Sequence, residues 1–457
     1  MLEELLKFLE DKKILILGFG REGKASYNLI RRHFPKKKLY IADKDTKVKE
    51  VVLNLESKFG NKDLVELILG ENYLDSLEEY EIILKTPGQS FKDVDTKNIK
   101  DKIYTSMDLF LRFYDILTIG ITGSKGKSTT STLIYKMLKD AGKDVLLLGN
   151  IGIPIFDRIE EIKSDSIAVL EISSHQLEFM KYTTKIAILI NIYPAHLDHH
   201  NEYQEYIDAK YNIFENEKNM KELDPKFKQY QIYGAETDAM KNKKYKYNEE
   251  AICIHIDNGD YDEIISKLNL HIKGKHNIHN SMFALIVADI LNLDIHDSIK
   301  SIENFKGLEH RLEYVEEIDG VEYYNDSIAT IPDATIQAIE TFKNMKTLIL
   351  GGGDSGIDHK GLIKLINNIY DNENYSLENI ILLPDTGHSL AKEIRDEYKK
   401  YIVKDVIEAA EKAVEITKEG VCVLSPAAVS YGYYKNFEER GNMFKDKIRE
   451  LKNERRK

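Results

Sequence analysis

Short apolar runs, each broken by a polar or glycine-rich turn and followed by an amphipathic stretch, recur along the whole chain. In the first third, Ile14–Gly18, Leu39–Asp43, Leu64–Leu69 and Glu81–Lys85 are predicted strands, with a short one near Tyr104. In the middle third the run Ile116–Ile121 is followed by Val145–Leu148, Ile167–Ile172, Ile186–Ile190 and Ile252–Ile256. In the last third the predicted strands are Val321–Tyr324, Thr347–Leu350, Ile380–Leu383 and Val421–Leu424. Continuous apolar runs with helical segments between them describe strands covered on both faces, and so an α/β fold of parallel, doubly wound sheets in three successive blocks. Residues 216–250 are polar and lysine-rich and are expected to be a surface loop or hairpin. Asn277 is expected to be the N-cap of the apolar helix that runs to Leu291. Phe305–Arg311 reads as a hinge-like junction, and the closing helix Asn436–Arg449 is expected to end in a frayed tail.

The breaks carry the candidate chemistry. Thr118–Thr130 reads TIGITGSKGKSTT. A strand that enters a helix through a glycine turn aims backbone N–H groups and the helix dipole at one point; Lys127 adds a charge there, and Ser128 a hydroxyl able to ligate Mg²⁺. The spacing departs from the usual G-x-x-x-x-G-K-[ST], so the stretch is either a shortened phosphate loop or an ordinary strand–helix turn. Glu171 stands near a strand end beside it, as a Mg²⁺ carboxylate or a helix N-terminal charge. His196 lies close to Asp198, His199 and His200, which leaves a metal or phosphate role open against that of a plain polar residue. In the predicted helix Tyr203–Glu215, Lys210 shares a face with Tyr206 and Phe214. It either snorkels or is held desolvated, and a neutral lysine amine can take up CO₂ as a carbamate. Gly18-x-Gly20-x-x-Gly23, with Asp43 ending the next strand, approximates a dinucleotide fingerprint. Thr86-Pro87-Gly88 follows another strand end.

Composition narrows the partners. The 457 residues carry a net charge of −12, which gives no general attraction to nucleic acid or an anionic membrane. Cys253 and Cys422 are far apart, so neither a CxxC zinc site nor a disulfide framework is expected. The opening MLEELLKFLEDKK is acidic and amphipathic, unlike a signal peptide, and no apolar run approaches a membrane span. A cytoplasmic protein is the expectation.

Taken together, GSKGKSTT, LGNIGIP, LEISSHQLE, NIYPAHLDHH, DAKYNIFENE, GKHNIHN, GLEHRLE, YYNDSIAT, LILGGGDSG and SPAAVSYGYYKNFEERG occur in this order. In this the chain resembles the Mur ligases, and within them the glutamate-adding branch. The resemblance implies three domains: a Rossmann-like UDP-binding domain (1–106), a central P-loop ATPase-like domain with a mostly parallel sheet (107–308) and a Rossmann-like glutamate-binding domain (309–457). It implies an ATP- and Mg²⁺-dependent ligase that joins glutamate, D-glutamate foremost, to UDP-N-acetylmuramoyl-L-alanine through an acyl phosphate in peptidoglycan precursor synthesis, with no oligomer required. By the same resemblance ATP meets Gly123, Ser124, Lys125, Gly126, Lys127, Ser128 and Thr129, with Asn277, Asn280, Arg311 and Asp326 on its adenosine side. Ser128 and Glu171 serve one Mg²⁺; His196 and a carbamylated Lys210 serve a second. Gly18, Gly20, Gly23, Asp43 and Gly88 face the UDP portion. Asn150, Ser173 and His196 approach the muramoyl end, and Thr330, Ser430 and Phe437 meet glutamate. Ile328 and Ser355 stand where lysines are usual in the family, which leaves L-glutamate open as the amino acid. A dehydrogenase would account for the first glycine turn but not for the second or for Glu171 and His196. A non-catalytic Mur-like subunit would not retain Lys127, Glu171, His196 and Lys210 together.

Overall fold

The computed structural model describes all residues except 60–63, 93, 151–152, 194–201, 216, 235–251, 255–267, 273–274, 355–357 and 456–457. The chain forms two compact units, Met1–Leu268 with His276–Ile302, and Asn269–Lys275 with Glu303–Lys457.

The first unit holds two sheets. One comprises β1 (Ile14–Leu17), β2 (Leu39–Asp43), β3 (Val65–Leu69), β4 (Ile82–Lys85) and β5 (Ile103–Tyr104), in the order β3-β2-β1-β4-β5. The other comprises β6 (Leu117–Thr122), β7 (Val145–Gly149), β8 (Ile167–Glu171), β9 (Ile186–Leu189), β10 (Tyr230–Gly234) and β11 (Ile252–Ile254), in the order β11-β10-β9-β6-β8-β7. Every pairing in both is parallel. Parallel strands need helical crossovers, which cover both faces, and this is why β1, β4, β8 and β9 are buried at every position. In such sheets the strand order reverses at one point, and loops there diverge to leave a crevice. The reversal lies at β1 and β4 in the first sheet and at β6 in the second.

The second unit holds β12 (Glu313–Ile318), β13 (Val321–Asn325), β14 (Met345–Gly352), β15 (Asn379–Asp385), β16 (Lys399–Ile402) and β17 (Gly420–Leu424), in the order β12-β13-β17-β14-β15-β16. Among these strands β12 and β13 pair antiparallel and the other pairings are parallel. Two apolar layers, one on each face, bury Leu348, Leu350 and Ile380 on one side and Ile349, Ile381 and Leu424 on the other.

Several expectations are corrected. Residues 217–234 contain the helix Glu217–Leu223 and β10 where a loop or hairpin was expected. β10 joins the sheet by pairing with β9, with Gln231 and Ile232 buried. The lysine-rich run 241–250 lies outside the described residues. Asn277 is no N-cap: the helix already runs from Lys275 to Ile290, and the Asn277 Oδ1 accepts from the Asn280 side chain one turn on, at 3.1 Å. The closing helix extends from Phe437 to Arg455 instead of fraying, because Lys452 pairs with Glu316, and Arg455 with Asp319 and the Val414 carbonyl. Among the described residues no helix is long and apolar enough to cross a membrane.

Candidate active site

The turn after β6 sits where the second sheet reverses order. Gly126 has φ +85°, a left-handed conformation natural to glycine, and a Cβ there would come 2.5 Å from the Asn280 Oδ1. It starts the helix Lys127–Asp140, so Lys127, Ser128 and Thr129 lie in the first turn, where N–H groups are unpaired within the helix. The Lys127 Nζ folds back to the Gly123 carbonyl at 2.8 Å and the Ser124 carbonyl at 3.3 Å. Thr130 donates to the Asn280 Oδ1 at 3.2 Å, which brings the helix Lys275–Ile290 against the turn.

Two residues with no site role in the sequence reading shape this turn. Asn191 accepts from the Lys125 N–H at 2.9 Å and donates to the Lys125 carbonyl at 3.1 Å, imitating a strand partner. Tyr206 shares a 2.6 Å hydrogen bond with the Ser124 hydroxyl, and burial pushes its phenol up to about 12. The signal for both was indirect: Asn191 follows a strand end, and Tyr206 lies one helical turn before Lys210.

Lys210 is on the helix Tyr203–Glu215, as the apolar stripe required. It is 1% exposed and donates to the Gly123 carbonyl at 2.9 Å, the oxygen that also receives Lys127. Burial first, and then the Lys127 charge, holds its amine well below the usual lysine range, with Glu171 opposing. Of the two alternatives, desolvation is the one realised. Glu171 ends β8 and is 1% exposed; its Oε1 accepts from the Asn150 side chain at 2.9 Å, while its buried Oε2 has no hydrogen-bond partner among the described residues. An orphaned carboxylate oxygen beside a phosphate-type turn fits a divalent cation. Among the described residues no three His, Cys, Asp or Glu side chains gather as a metal site, and His196 lies outside those residues.

A cavity of 460 Å³ opens where the first sheet reverses, lined among others by Gly20, Arg21, Asp43, Thr86, Gly88, Gln89 and Asn150. The three glycines of the fingerprint differ in role. A Cβ on Gly18 would meet the Thr86 Oγ1 at 2.1 Å, and one on Gly23 would meet the Gly18 carbonyl at 2.1 Å, so both are needed for packing. Gly20 faces open space and starts the helix Arg21–His33. Asp43 accepts from the Phe19 N–H at 2.7 Å and the Asp45 N–H at 2.9 Å, and so shapes the turn it lines. Ser173 caps the short helix Ser174–Leu177 in a reciprocal box with Gln176.

In the second unit, Asp326 follows β13, accepts from Ser425 at 2.7 Å and from the Leu312 N–H at 3.2 Å, and is pushed up by burial to about 7. Arg311 is exposed and close enough to lower it. Ser430 is buried and the Phe437 carbonyl accepts from Ser327 at 2.8 Å. Thr330 is half-buried beside exposed Ile328 and Ile331. Arg440, absent from the sequence reading, is fully buried and ties the Ser327, Ala428 and Val429 carbonyls together. Ser355 lies outside the described residues.

A phosphate-type turn at the reversal of a parallel sheet, with a desolvated lysine and an orphaned carboxylate beside it, defines a nucleotide-binding α/β protein. The Mur ligase middle domain matches residues 121–288, and the Mur ligase glutamate ligase domain matches residues 310–428. The chain is 32% identical to the UDP-N-acetylmuramoylalanine--D-glutamate ligase of Clostridium kluyveri, over 98% of this chain and 99% of that protein. It is 35% identical to the protein of the same name from Clostridium botulinum, over 99% of this chain and all of that one. The crystal structure of UDP-N-acetylmuramate-alanine ligase from Thermotoga maritima shares the fold, with a TM-score of 0.52 at 16% identity over 96% of this chain and 100% of that one. The chain belongs to the Mur ligase family, whose members are ATP-dependent amide-bond ligases that use Mg²⁺.

Proposed function

We propose that this protein adds D-glutamate to UDP-N-acetylmuramoyl-L-alanine at the expense of ATP, in the cytoplasm, as a step of peptidoglycan precursor synthesis. The observation that carries this is the likeness, end to end, to proteins named for that reaction. The substrate carboxylate oxygen takes the γ-phosphoryl group of ATP as ADP leaves, giving an acyl phosphate; the neutral glutamate amine attacks its carbonyl carbon, loses a proton, and phosphate leaves. Such chemistry asks the protein for alignment and charge neutralisation more than for a covalent partner.

Each residue has a part in that account. Lys127 and the N–H groups of Gly123–Thr129 hold the ATP phosphates. Asn277, Asn280, Arg311 and Asp326 serve its adenosine side. Glu171, whose Oε1 accepts from Asn150, and Ser128 would hold a Mg²⁺. Bound Mg²⁺ neutralises charge on the phosphoryl oxygens. Lys210, desolvated beside Lys127, takes up CO₂ as a carbamate with release of a proton, and with His196 would hold a second Mg²⁺; the depressed amine supports this. The 460 Å³ cavity takes the UDP portion, with Gly20 at the helix start nearest the diphosphate and Asp43 and Gly88 on its walls. Asn150, Ser173 and His196 approach the muramoyl end, and Thr330, Ser430 and Phe437 meet the amino acid. The domains 1–106, 107–308 and 309–457, each built on one of the three sheets, bind UDP, ATP and glutamate in turn.

The test is phosphate release from ATP by the purified protein. It is expected only with UDP-N-acetylmuramoyl-L-alanine, Mg²⁺ and D-glutamate together. Equal stimulation by L-glutamate would refute the stereochemical assignment, and no stimulation by either isomer would refute the function.

A further inference from the structure

The cavity has an electrostatic difficulty that its own lining does not solve. Glu22, Asp43 and Asp45 line it, against Arg21 as the cation of the same lining. Glu22 is the critical one, because it stands in the first turn of the helix whose start faces the cavity. Both its oxygens are engaged, by Ser106 at 2.9 Å and Gln176 at 3.0 Å. An anionic ligand at that helix start would meet an adjacent carboxylate held rigidly in place.

Behind the lining lies Lys85, the last residue of β4 and the one before Thr86-Pro87-Gly88. Its side chain is fully buried, and its Nζ makes no hydrogen bond among the described residues. It sits 3.9 Å from the Glu178 Oε2 and 5.8 and 5.6 Å from the rings of Phe91 and Phe179, which pack edge to face at 5.4 Å. Glu22 and Glu178 are the two carboxylates that act on it. A buried ammonium with no hydrogen bond is costly to keep, and the Glu178 carboxylate at 3.9 Å and the two ring faces offset only part of that cost. Its field is what it contributes: in a dry setting it reaches Glu22 with little screening.

We propose that Lys85 is a positioning residue for the nucleotide-sugar substrate, its buried charge offsetting that of Glu22 so that a nucleoside diphosphate can settle at the start of the helix Arg21–His33. This rests on the function proposed above. Glu22 in turn fixes Ser106 and Gln176, and so joins the cavity wall to the second sheet's loops; burial raises its carboxyl, and Ser106, Gln176, Arg21 and Lys85 together work against that shift. Arg21, exposed at the rim, supplies the direct contact, whereas Lys85 acts without touching the ligand.

Steady-state kinetics test it with Lys85→Met, which keeps the length of the side chain and removes the charge. The KM for UDP-N-acetylmuramoyl-L-alanine is expected to rise about tenfold or more, with the KM for ATP and kcat within about twofold of wild type. Adding Glu22→Gln to Lys85→Met is expected to bring that KM most of the way back, which loss of packing alone would not do. UDP binding by calorimetry should follow the same order in the three proteins. An unchanged KM in Lys85→Met, an equal rise in the KM for ATP, or no recovery in the double variant would overturn the proposal while wild-type turnover keeps the function. Absence of wild-type turnover would overturn the function and this proposal with it. If Lys85→Met does not fold, Lys85→Arg serves: it keeps the charge and is expected to hold the KM near wild type, and a tenfold rise there would overturn the proposal.

Discussion

Lys210 and Lys127 share one acceptor, the Gly123 carbonyl, although both are cations. Burial, and after it the Lys127 charge at the same carbonyl, hold the Lys210 amine well below the usual lysine range. Neutrality is what makes an amine reactive towards CO₂. Lys210→Ala is therefore expected to lower kcat by about two orders of magnitude or more, the scale of losing a preorganised charge at a reacting centre. In CO₂-depleted buffer the wild-type rate should fall and return on adding bicarbonate, while the variant stays indifferent to both. A variant retaining most of its rate would refute the carbamate. Lys210 was legible in the sequence because a lysine on an apolar helical stripe leaves only two options. The clamp of Asn191 and Tyr206 was not, because it joins residues 66 and 82 positions from their partners and no periodicity records such a contact.

At the scale of elements, the central parallel strands were readable because burial on both faces leaves uninterrupted apolar runs. Glu313–Ile318 and Lys399–Ile402 were missed for the converse reason: they are edge strands, with polar residues alternating or leading. The Asp319-Gly320 pair, both with positive φ, was the hairpin signal that would have found β12. Another element-level feature is the helix Ser106–Phe113, capped by Thr105 and anchored by the fully buried Asp108. Asp108 accepts the N–H groups of Lys181 and Tyr182 at 2.8 and 3.1 Å, yet burial raises its carboxyl to about 7. The folded state thus keeps a proton that the unfolded chain releases near pH 4. The stability this gives is full below that value and is lost as pH rises towards 7. Asp108→Asn, which can still accept both bonds, should match wild type near pH 4 and exceed it at pH 8 by on the order of 3–4 kcal/mol. Urea titrations at the two pH values measure this; an advantage that did not change with pH would rule the account out.

On the scale of the whole molecule, the 460 Å³ cavity lies entirely within the first unit. A ligand stabilises only what it binds. Denaturant unfolding is expected to show two transitions, and saturating UDP to raise the first unit's by about 2.7 kcal/mol at a hundredfold excess over Kd, leaving the second unmoved. Hydrogen exchange resolved by peptide would assign the transitions, and UDP protection spread evenly over both units would contradict the assignment of the cavity.

The two units also interleave along the chain. Residues 269–275 belong to the second, yet the segment His276–Ile302 that follows belongs to the first. No single cut of the polypeptide can therefore release either unit whole. A fragment stopping at Ile302 carries an orphaned seven-residue piece of its neighbour, and one starting at Glu303 lacks it. During synthesis the ribosome must deliver that piece before the body that receives it exists, so it waits, unpaired, until the remainder emerges. Gene fusions, split-protein reporters and domain exchanges would respect this protein's architecture only by moving the two segments together.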